Sequence, residues 1–349
     1  MVYPWHLDAW QQLANRLNRL PHALLIGGPE GLGKRAFAQV LAARLLCDHP
    51  TEGNLACGVC EGCRWFASGN HPDYRLITPE AELADEEGAG DGEPAKSGGK
   101  DKRSLQIRIE QIRSLAEYVG FTHHRPTARV VVIQPAEAMN VPTANALLKV
   151  LEEPPDNTVF LLVSHQARRL LPTIRSRCQS IQLPSPRLDE ARAWLEGQGV
   201  DIGTEVIAFC GGLPLSAQEL ASGAGWQARQ RFVRDVEGLP VQDPISLAGQ
   251  WEAWLKSKES AGMDLPTLVT WLQKWLVDLT LVTSGGNARY FPDRKEVFAR
   301  IAATLSPAGL ARVYREVASL KSTALHPVNP RLFLDDLLLR VARLWAQRT

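Results

Sequence analysis

The segment His22 to Leu46, HALLIGGPEGLGKRAFAQVLAARLL, decides the fold of this protein. Its first six residues form an apolar run that ends at Gly-Gly-Pro, which is typical of a buried strand entering a turn. From Gly33 onward large apolar residues recur at helical spacing: Phe37, Val40, Leu41 and Leu45. The segment therefore predicts a strand, a loop and a helix, in that order.

The loop of this segment, GPEGLGK, matches the phosphate-binding pattern G-x-x-x-x-G-K. Small residues at Gly28, Gly31 and Gly33 let backbone N–H groups wrap phosphate oxygens, and Lys34 neutralises the phosphate charge. The next position, which should supply a Ser or Thr hydroxyl to Mg²⁺, is Arg35. The sequence thus predicts the backbone of a nucleotide site with an incomplete metal site, and it leaves ATP binding open.

Strand and helix signals continue to alternate up to residue 184. The runs RVVVIQ (129–134) and TVFLLVS (158–164) predict buried strands, and SIQLP (180–184) predicts a third, short one. Between the first two lies a helical stripe that Pro154 and Pro155 terminate: Ala144, Leu147, Leu148 and Leu151. This alternation predicts an α/β fold with a mainly parallel sheet and helices on both faces.

Acidic residues are missing where such an ATPase needs them. Asp and Glu at the end of the strand 129–133 would hold magnesium and polarise the attacking water, but the chain has Gln134 and Pro135. Glu137 could substitute in principle, yet three positions beyond the strand end we expect a solvated loop charge. Two separate losses in one catalytic apparatus predict that the chain does not hydrolyse ATP by itself.

Four of the six cysteines lie close together in sequence: Cys47, Cys57, Cys60 and Cys63. Cys57, Cys60 and Cys63 have C-x₂-C-x₂-C spacing, and together with Cys47 their thiolates can converge on one Zn²⁺ with sulfur at about 2.3 Å, which is typical of a structural site. An iron–sulfur cluster is the alternative, although the ferredoxin pattern with its Cys-Pro is absent. Cys178 and Cys210 are isolated and are expected to be ordinary buried residues.

Composition limits the remaining choices. Lys plus Arg number 39 and Asp plus Glu number 38, so the chain lacks the basic charge of a stand-alone DNA binder. The amino-terminal segment lacks the basic start and apolar core of a signal peptide, and no apolar run reaches the ~18 residues of a membrane span. We expect a cytoplasmic protein without a membrane partner.

The pattern changes after Pro186. Short amphipathic helices with glycine breaks predict a small helical lid at 185–225, and longer helices predict a helical domain at 226–349. One stripe in the longer helices is clear, and we expect its tryptophan in the core: Leu272, Trp275, Leu276 and Leu279. Within the first domain, 1–184, the acidic and glycine-rich segment 80–104 predicts a disordered insertion.

Five motifs give the chain a clear resemblance to the bacterial clamp-loader branch of the AAA+ family. They are HALLIGGPEGLGK, the cysteine segment ACGVCEGC, HPDY at His71 to Tyr74, ANALLKVLEEPP, and the SRC motif at Ser176 to Cys178. The resemblance covers nearly the whole chain, and ANALLKVLEEPP followed by SRC is its most specific part. It implies an AAA+ domain of RecA-like type, a lid and a carboxy-terminal collar that assembles a ring of five subunits.

Within that family, Arg35, Gln134 and Pro135 place the chain with the subunit whose nucleotide site is degenerate. The lid also lacks the family's sensor arginine near Gly212 to Leu215, a third departure in the same direction. The resemblance then implies a rigid, non-hydrolysing stator whose Arg177 acts as an arginine finger on a neighbouring ATPase subunit.

The resemblance also implies partners, namely the tau/gamma and delta clamp-loader subunits, and through them the sliding clamp and primer-template DNA. The chain would be an enzyme only by membership of the DNA-directed DNA polymerase III holoenzyme, a nucleotidyltransferase. An active ATPase of the tau/gamma kind is the alternative. A P-loop nucleotide kinase that uses Lys34 is a weaker one, because it leaves the zinc cluster, SRC and the helical carboxy-terminal third unexplained.

Overall fold

The computed structural model describes residues 2–82, 104–120, 128–260 and 262–346. The chain forms two compact units, Met1–Ser185 and Pro186–Thr349. The predicted disordered insertion 80–104 lies, apart from its ends, outside the described residues. At those ends the backbone N–H of Ala81 donates to the carbonyl oxygen of Ser104 at 3.2 Å.

The first unit is built around a five-stranded parallel sheet. Its strands are β1 (Ala23–Gly27), β2 (Tyr74–Ile77), β3 (Arg129–Ile133), β4 (Thr158–Ser164) and β5 (Gln179–Gln182). Their order across the sheet is β2-β3-β4-β1-β5, and all four neighbouring pairs run parallel. Every residue of β1, β3 and β4 is buried, which explains why these strands read as continuous apolar runs.

The first unit also contains α-helices, some of which contact the strands. They are α1 (Leu7–Ala14), α2 (Lys34–Leu45), α3 (Glu61–Ala67), α4 (Ile109–Gly120), α5 (Val141–Glu152) and α6 (Pro172–Arg175). The side chain of Asn140 caps α5 by accepting from the backbone N–H of Thr143, and Pro142 lies in its first turn. Ala144, Leu147 and Leu151 of α5 are buried as their spacing predicts.

Strand register brings the functional loops to one edge. Gly27 pairs with Ser164 across β1 and β4, and Ile133 pairs with Leu162 across β3 and β4. Because parallel strands have their carboxyl ends at the same edge, the glycine loop after β1 lies beside His165 after β4 and the residues after β3.

Every regular element that the structure describes in the second unit is helical. The helices are α7 (Leu188–Gly197), α8 (Thr204–Phe209), α9 (Pro214–Ser222), α10 (Gly225–Gly238), α11 (Pro244–Leu255), α12 (Leu265–Thr283), α13 (Lys295–Ala302), α14 (Pro307–Thr323) and α15 (Pro330–Ala346). The predicted stripe of α12 is wholly buried, and Trp251, Trp254 and Trp275 all lie in the core. Among the described residues, no helix is long and apolar enough to cross a bilayer.

These observations confirm the predicted α/β fold with a helical carboxy-terminal region. β2 is not predicted by the sequence, because its four residues are too short to show a period. Inside the second unit, Ala191, Leu195 and Ile207 form a small apolar cluster beside the larger core. Helix α8 contributes to both, because its Ile207 belongs to the small cluster and its Phe209 to the larger core. The separate lid, 185–225, and collar, 226–349, remain a prediction.

Candidate functional site

The glycine loop has the backbone shape of a phosphate-binding loop. Gly28, Gly31 and Gly33 have φ angles of 153°, 77° and 93°, which side-chain-bearing residues rarely adopt. Gly33 directly precedes α2, so the loop leads into the amino terminus of a helix. The predicted strand, loop and helix are therefore present, with Lys34 as the first residue of the helix.

Lys34, however, is turned into its own loop. Its Nζ donates to the carbonyl oxygen of Pro29 at 2.6 Å and lies 2.8 Å from Nδ1 of His165. The residue is only 2% exposed. Since a lysine ammonium has three donors, two of them are satisfied by the protein at the place where phosphate oxygens would bind.

Burial dominates the electrostatics of this site. It lowers the pKa of Lys34 to about 8, and the carboxylates of Glu137 and Glu30 only partly offset this effect. Burial, and next the positive charge of Lys34, also lower the pKa of His165. A neutral imidazole can present Nδ1 as an acceptor, so the lowered pKa fits a hydrogen bond from Lys34 to His165.

Aromatic residues at the amino terminus hold the other side of the loop. The indole N–H of Trp5 donates to the carbonyl oxygen of Leu32 at 3.0 Å, in a buried bond. The ring of Tyr3 stacks on that of Trp5 with centroids 4.8 Å apart. The loop is thus fixed at Leu32 by Trp5 and at Lys34 by His165.

The end of β3, where an active ATPase of this type has acidic residues, carries the uncharged Gln134. Gln134 is buried, and its backbone N–H donates to the carbonyl oxygen of Ile77. The interpretation of Glu137 as a solvated loop charge is wrong. Its Oε1 accepts from the backbone N–H groups of His165 at 2.8 Å and Gln166 at 3.1 Å, because the ends of β3 and β4 share one edge of the sheet.

Arg177 lies in the short connection between α6 and β5, two residues beyond the end of α6. Its Nη1 donates to the carbonyl oxygen of Thr173 at 3.0 Å, and its Nη2 forms an ion pair with Oε1 of Glu152. The side chain remains 34% exposed. The guanidinium is therefore held from two sides but is still open to solvent.

The four predicted cysteines come together after α2. Their Sγ atoms all lie within 4.8 Å of one another, with 3.8 Å between Cys47 and Cys60 and 3.9 Å between Cys57 and Cys63. Four sulfurs arranged tetrahedrally at about 2.3 Å from one ion would be separated by about 3.8 Å. The donor set fits a single tetrahedral metal ion.

Backbone donors point at three of the four sulfurs, whereas burial raises the pKa of Cys47 and of Cys63. N–H groups of Cys57, Cys60 and Cys63 point at the sulfurs of Cys47, Cys57 and Cys60, respectively, at 3.2 to 3.4 Å. Backbone donors at Val59 and Cys60 lower the pKa of Cys57 to about 6. The remaining cysteines, Cys178 and Cys210, are free and only partly buried, and burial raises the pKa of each to about 11.

Two residues of this unit are absent from the sequence prediction. His165 has no motif around it, but it directly follows β4, where strand register places it beside the loop. Glu152 belongs to ANALLKVLEEPP, and its contact with Arg177 spans 25 residues. The sequence also does not predict a buried ion pair in the second unit, where Arg229 is buried and lies 2.8 Å from Asp293.

Comparisons with known proteins agree with this architecture. Residues 5–187 match the family model described as "DNA polymerase III, delta subunit", and residues 224–343 match "DNA polymerase III, delta subunit, C terminal". The chain is 37% identical over 282 residues to the DNA polymerase III subunit delta′ of Pseudomonas aeruginosa, covering 80% of this chain and 77% of that protein. It is 30% identical over 346 residues to the subunit delta′ of Escherichia coli, covering 97% and 95%. The chain therefore belongs to the family of DNA polymerase III delta′ subunits.

Proposed function

We propose that this chain is a non-hydrolysing clamp-loader subunit that supplies Arg177 to the ATP site of a neighbouring subunit. The observation that carries the proposal is a contrast between two cations. Lys34 is buried and bonded to its own loop, whereas Arg177 is partly exposed. The side chain of Lys34 is thus directed into its own loop, whereas that of Arg177 remains accessible to a partner.

Three features argue against turnover at the glycine loop. Lys34 is engaged by Pro29 and His165, so phosphate binding has to displace both. Position 35 offers a guanidinium in place of the hydroxyl that ligates Mg²⁺. Glu137, whose carboxylate acts on the charge of Lys34, uses Oε1 to hold the backbone after β4. We propose that the isolated chain neither hydrolyses ATP nor retains it at millimolar concentration.

Arg177 has the chemistry that a neighbour's site requires. A guanidinium remains charged at every physiological pH and presents several N–H donors to phosphate oxygens. In well-studied NTPases, an arginine supplied across an interface increases the rate by about 10³ to 10⁵. The ion pair with Glu152 keeps the side chain in one direction, which suits this role.

The cysteine cluster is proposed to hold a structural zinc ion. Four thiolates leave no open position for a substrate, so a catalytic role does not fit. A single ion also accounts for sulfur separations of 3.8 and 3.9 Å better than a cluster of several irons, which would hold the sulfurs further apart.

The proposed partners are the tau/gamma and delta subunits and, through them, the sliding clamp and primer-template DNA. Membership of the delta′ family supports this assignment. The helical second unit is proposed to contain a lid, 185–225, and a collar, 226–349, by which the subunits assemble. Its large core, rich in aromatic side chains, gives such a collar an apolar interior.

The proposal is tested with a loader reconstituted from this chain and the tau/gamma and delta subunits. DNA- and clamp-stimulated ATP hydrolysis is measured with the native chain and with Arg177→Ala, and the chain alone serves as a blank. We expect a silent blank and a sharp loss of activity with the variant. Turnover by the chain alone would instead support an active ATPase. Unchanged ATP hydrolysis by the Arg177→Ala loader would leave only a structural role for this chain.

A further inference from the structure

The contact between Arg177 and Glu152 joins the two most specific motifs of the chain. Glu152 is the last residue of α5, and Arg177 follows α6. The Nη2 atom of Arg177 lies 2.5 Å from Oε1 of Glu152, while Nη1 donates to the carbonyl oxygen of Thr173. One end of the guanidinium is thus anchored by a carboxylate and the other by the backbone.

We infer that Glu152 is a positioning residue, which holds the guanidinium of Arg177 in the direction that a neighbour's phosphate requires. This inference rests on the proposed function of Arg177. It concerns a residue that would not touch the phosphate itself and would act only through the arginine.

The geometry indicates that Glu152 orients the guanidinium of Arg177 and does not block it. A guanidinium has five N–H groups, and residues that the structure describes engage only two of them. The other three remain for phosphate oxygens, and the arginine side chain is 34% exposed. A carboxylate that blocked the arginine would have to cover these donors, whereas Glu152 approaches only one end of the fork.

Stability does not explain the contact. Glu152 is 48% exposed, and ion pairs this open to water contribute little to the stability of the fold. An arginine without a partner at this place would sample many rotamers, and it would lose that freedom each time it engaged a phosphate. Pre-ordering the side chain removes this cost from the catalytic step, and misplacement by ~1 Å can cost about 10²-fold in rate.

The next residue along the chain provides a matched control. Glu153 carries the same charge and is exposed, but its side chain forms no ion pair with any residue in the described ranges. Glu153→Gln therefore changes the net charge as Glu152→Gln does and leaves Arg177 anchored.

The test measures stimulated ATP hydrolysis by the reconstituted loader with Glu152→Gln, Glu153→Gln, Arg177→Ala and the double variant Glu152→Gln/Arg177→Ala. We expect Glu152→Gln to lower kcat by about tenfold with an unchanged KM for ATP, a smaller loss than full misplacement of the group produces. Glu153→Gln should match the native protein. In the Arg177→Ala background, Glu152→Gln should have no further effect, because its action passes through the arginine.

Each contrary outcome has a separate meaning. If Arg177→Ala has no effect, the proposed arginine finger fails. If Arg177→Ala is inactive but Glu152→Gln equals Glu153→Gln, the finger stands and the positioning role is overturned. If Glu152→Gln lowers activity equally with and without Arg177, or if it lowers the urea midpoint of the isolated chain clearly more than Glu153→Gln does, its effect is structural and the inference is also overturned.

Discussion

At the scale of single residues, the contacts of Lys34 differ most from those that its motif predicts. In a working phosphate loop the lysine ammonium is held ready for a nucleotide, but here the carbonyl of Pro29 and the imidazole of His165 take its hydrogen bonds. Neither partner carries a full negative charge, so the buried ammonium is poorly compensated. This explains why burial lowers the pKa of Lys34 to about 8 despite two nearby carboxylates.

That shift predicts a measurable dependence of stability on pH. The unfolded chain holds the proton of Lys34 up to pH 10.5, whereas the folded chain releases it near pH 8, so the unfolded state binds more protons between these values. Native stability should therefore rise with pH across this window relative to Lys34→Met, by up to about 3 kcal/mol. Urea unfolding of both proteins between pH 7.5 and 10 measures the difference.

Titrating groups that do not interact with Lys34 cancel in this comparison, because both proteins contain them. Lys149→Met, which removes the charge of an exposed lysine in α5, controls for the change in net charge. A constant difference between native protein and Lys34→Met over the whole range would mean that Lys34 keeps its proton, and that the site is more polar than the contacts of Lys34 indicate.

At the scale of elements, the cysteine cluster connects α2 to α3. Cys47 follows α2, Cys60 caps the amino terminus of α3, and Cys63 lies in its first turn. The segment between them has few large apolar residues, so the proposed metal ion would supply the stability that a core otherwise gives.

We expect Cys60→Ser to lower the metal content and the melting temperature together. The native protein should bind about one zinc ion per chain, as judged by elemental analysis. Cys178→Ser is the control, since this thiol lies outside the cluster. Full zinc occupancy in Cys60→Ser would show that the cluster is not the binding site, and iron in the native protein would favour the iron–sulfur alternative.

The buried carboxylate of Asp278 performs a similar task without a metal. It lies in α12 and accepts three backbone N–H groups of the following segment, from Arg289, Tyr290 and Phe291, each at 2.8 Å. Asp278→Ala leaves three donors without an acceptor and should lower the free energy of unfolding by about 3 kcal/mol or more. Asp278→Asn, which keeps one acceptor oxygen, should lose less.

A matched comparison uses the other end of the same helix. Asp264 is exposed and caps α12 by accepting a single N–H from Thr267, so Asp264→Ala should cost only about 1 kcal/mol. Urea unfolding gives both values. If Asp278→Ala and Asp264→Ala lower the free energy of unfolding equally, the three hydrogen bonds of Asp278 stabilise the fold no more than one exposed cap does.

The elements that sequence predicts well are those with a complete local signal. β1, β3 and β4 are buried on both faces and read as apolar runs, and α5 has its cap, its proline and its stripe. The contacts of Lys34 with His165 and of Arg177 with Glu152 join residues 131 and 25 positions apart. No local pattern records such a pair, because strand order and helix packing create it.

On the scale of the whole molecule, each of the two units has a large apolar core of its own among the described residues. One lies around the sheet, from Ala23 to Ile174, and the other contains apolar residues from Phe209 to Val341. Each unit therefore has the apolar interior that independent folding requires. The cysteine cluster and the glycine loop belong to the first unit, and seven of the ten tryptophans lie in the second.

This division predicts that the fragment 186–349 folds by itself and that metal affects only the other unit. The fragment should unfold cooperatively in urea, followed by tryptophan fluorescence, because Trp251, Trp254 and Trp275 are all buried within it. In the full chain, Cys60→Ser should shift a transition of the first unit and leave unchanged the transition that the fragment shows. A fragment without a cooperative transition would contradict the independence of the second core. A shift of both transitions in Cys60→Ser would instead mean that the two units unfold as one, so that zinc stabilises the whole chain and not one unit.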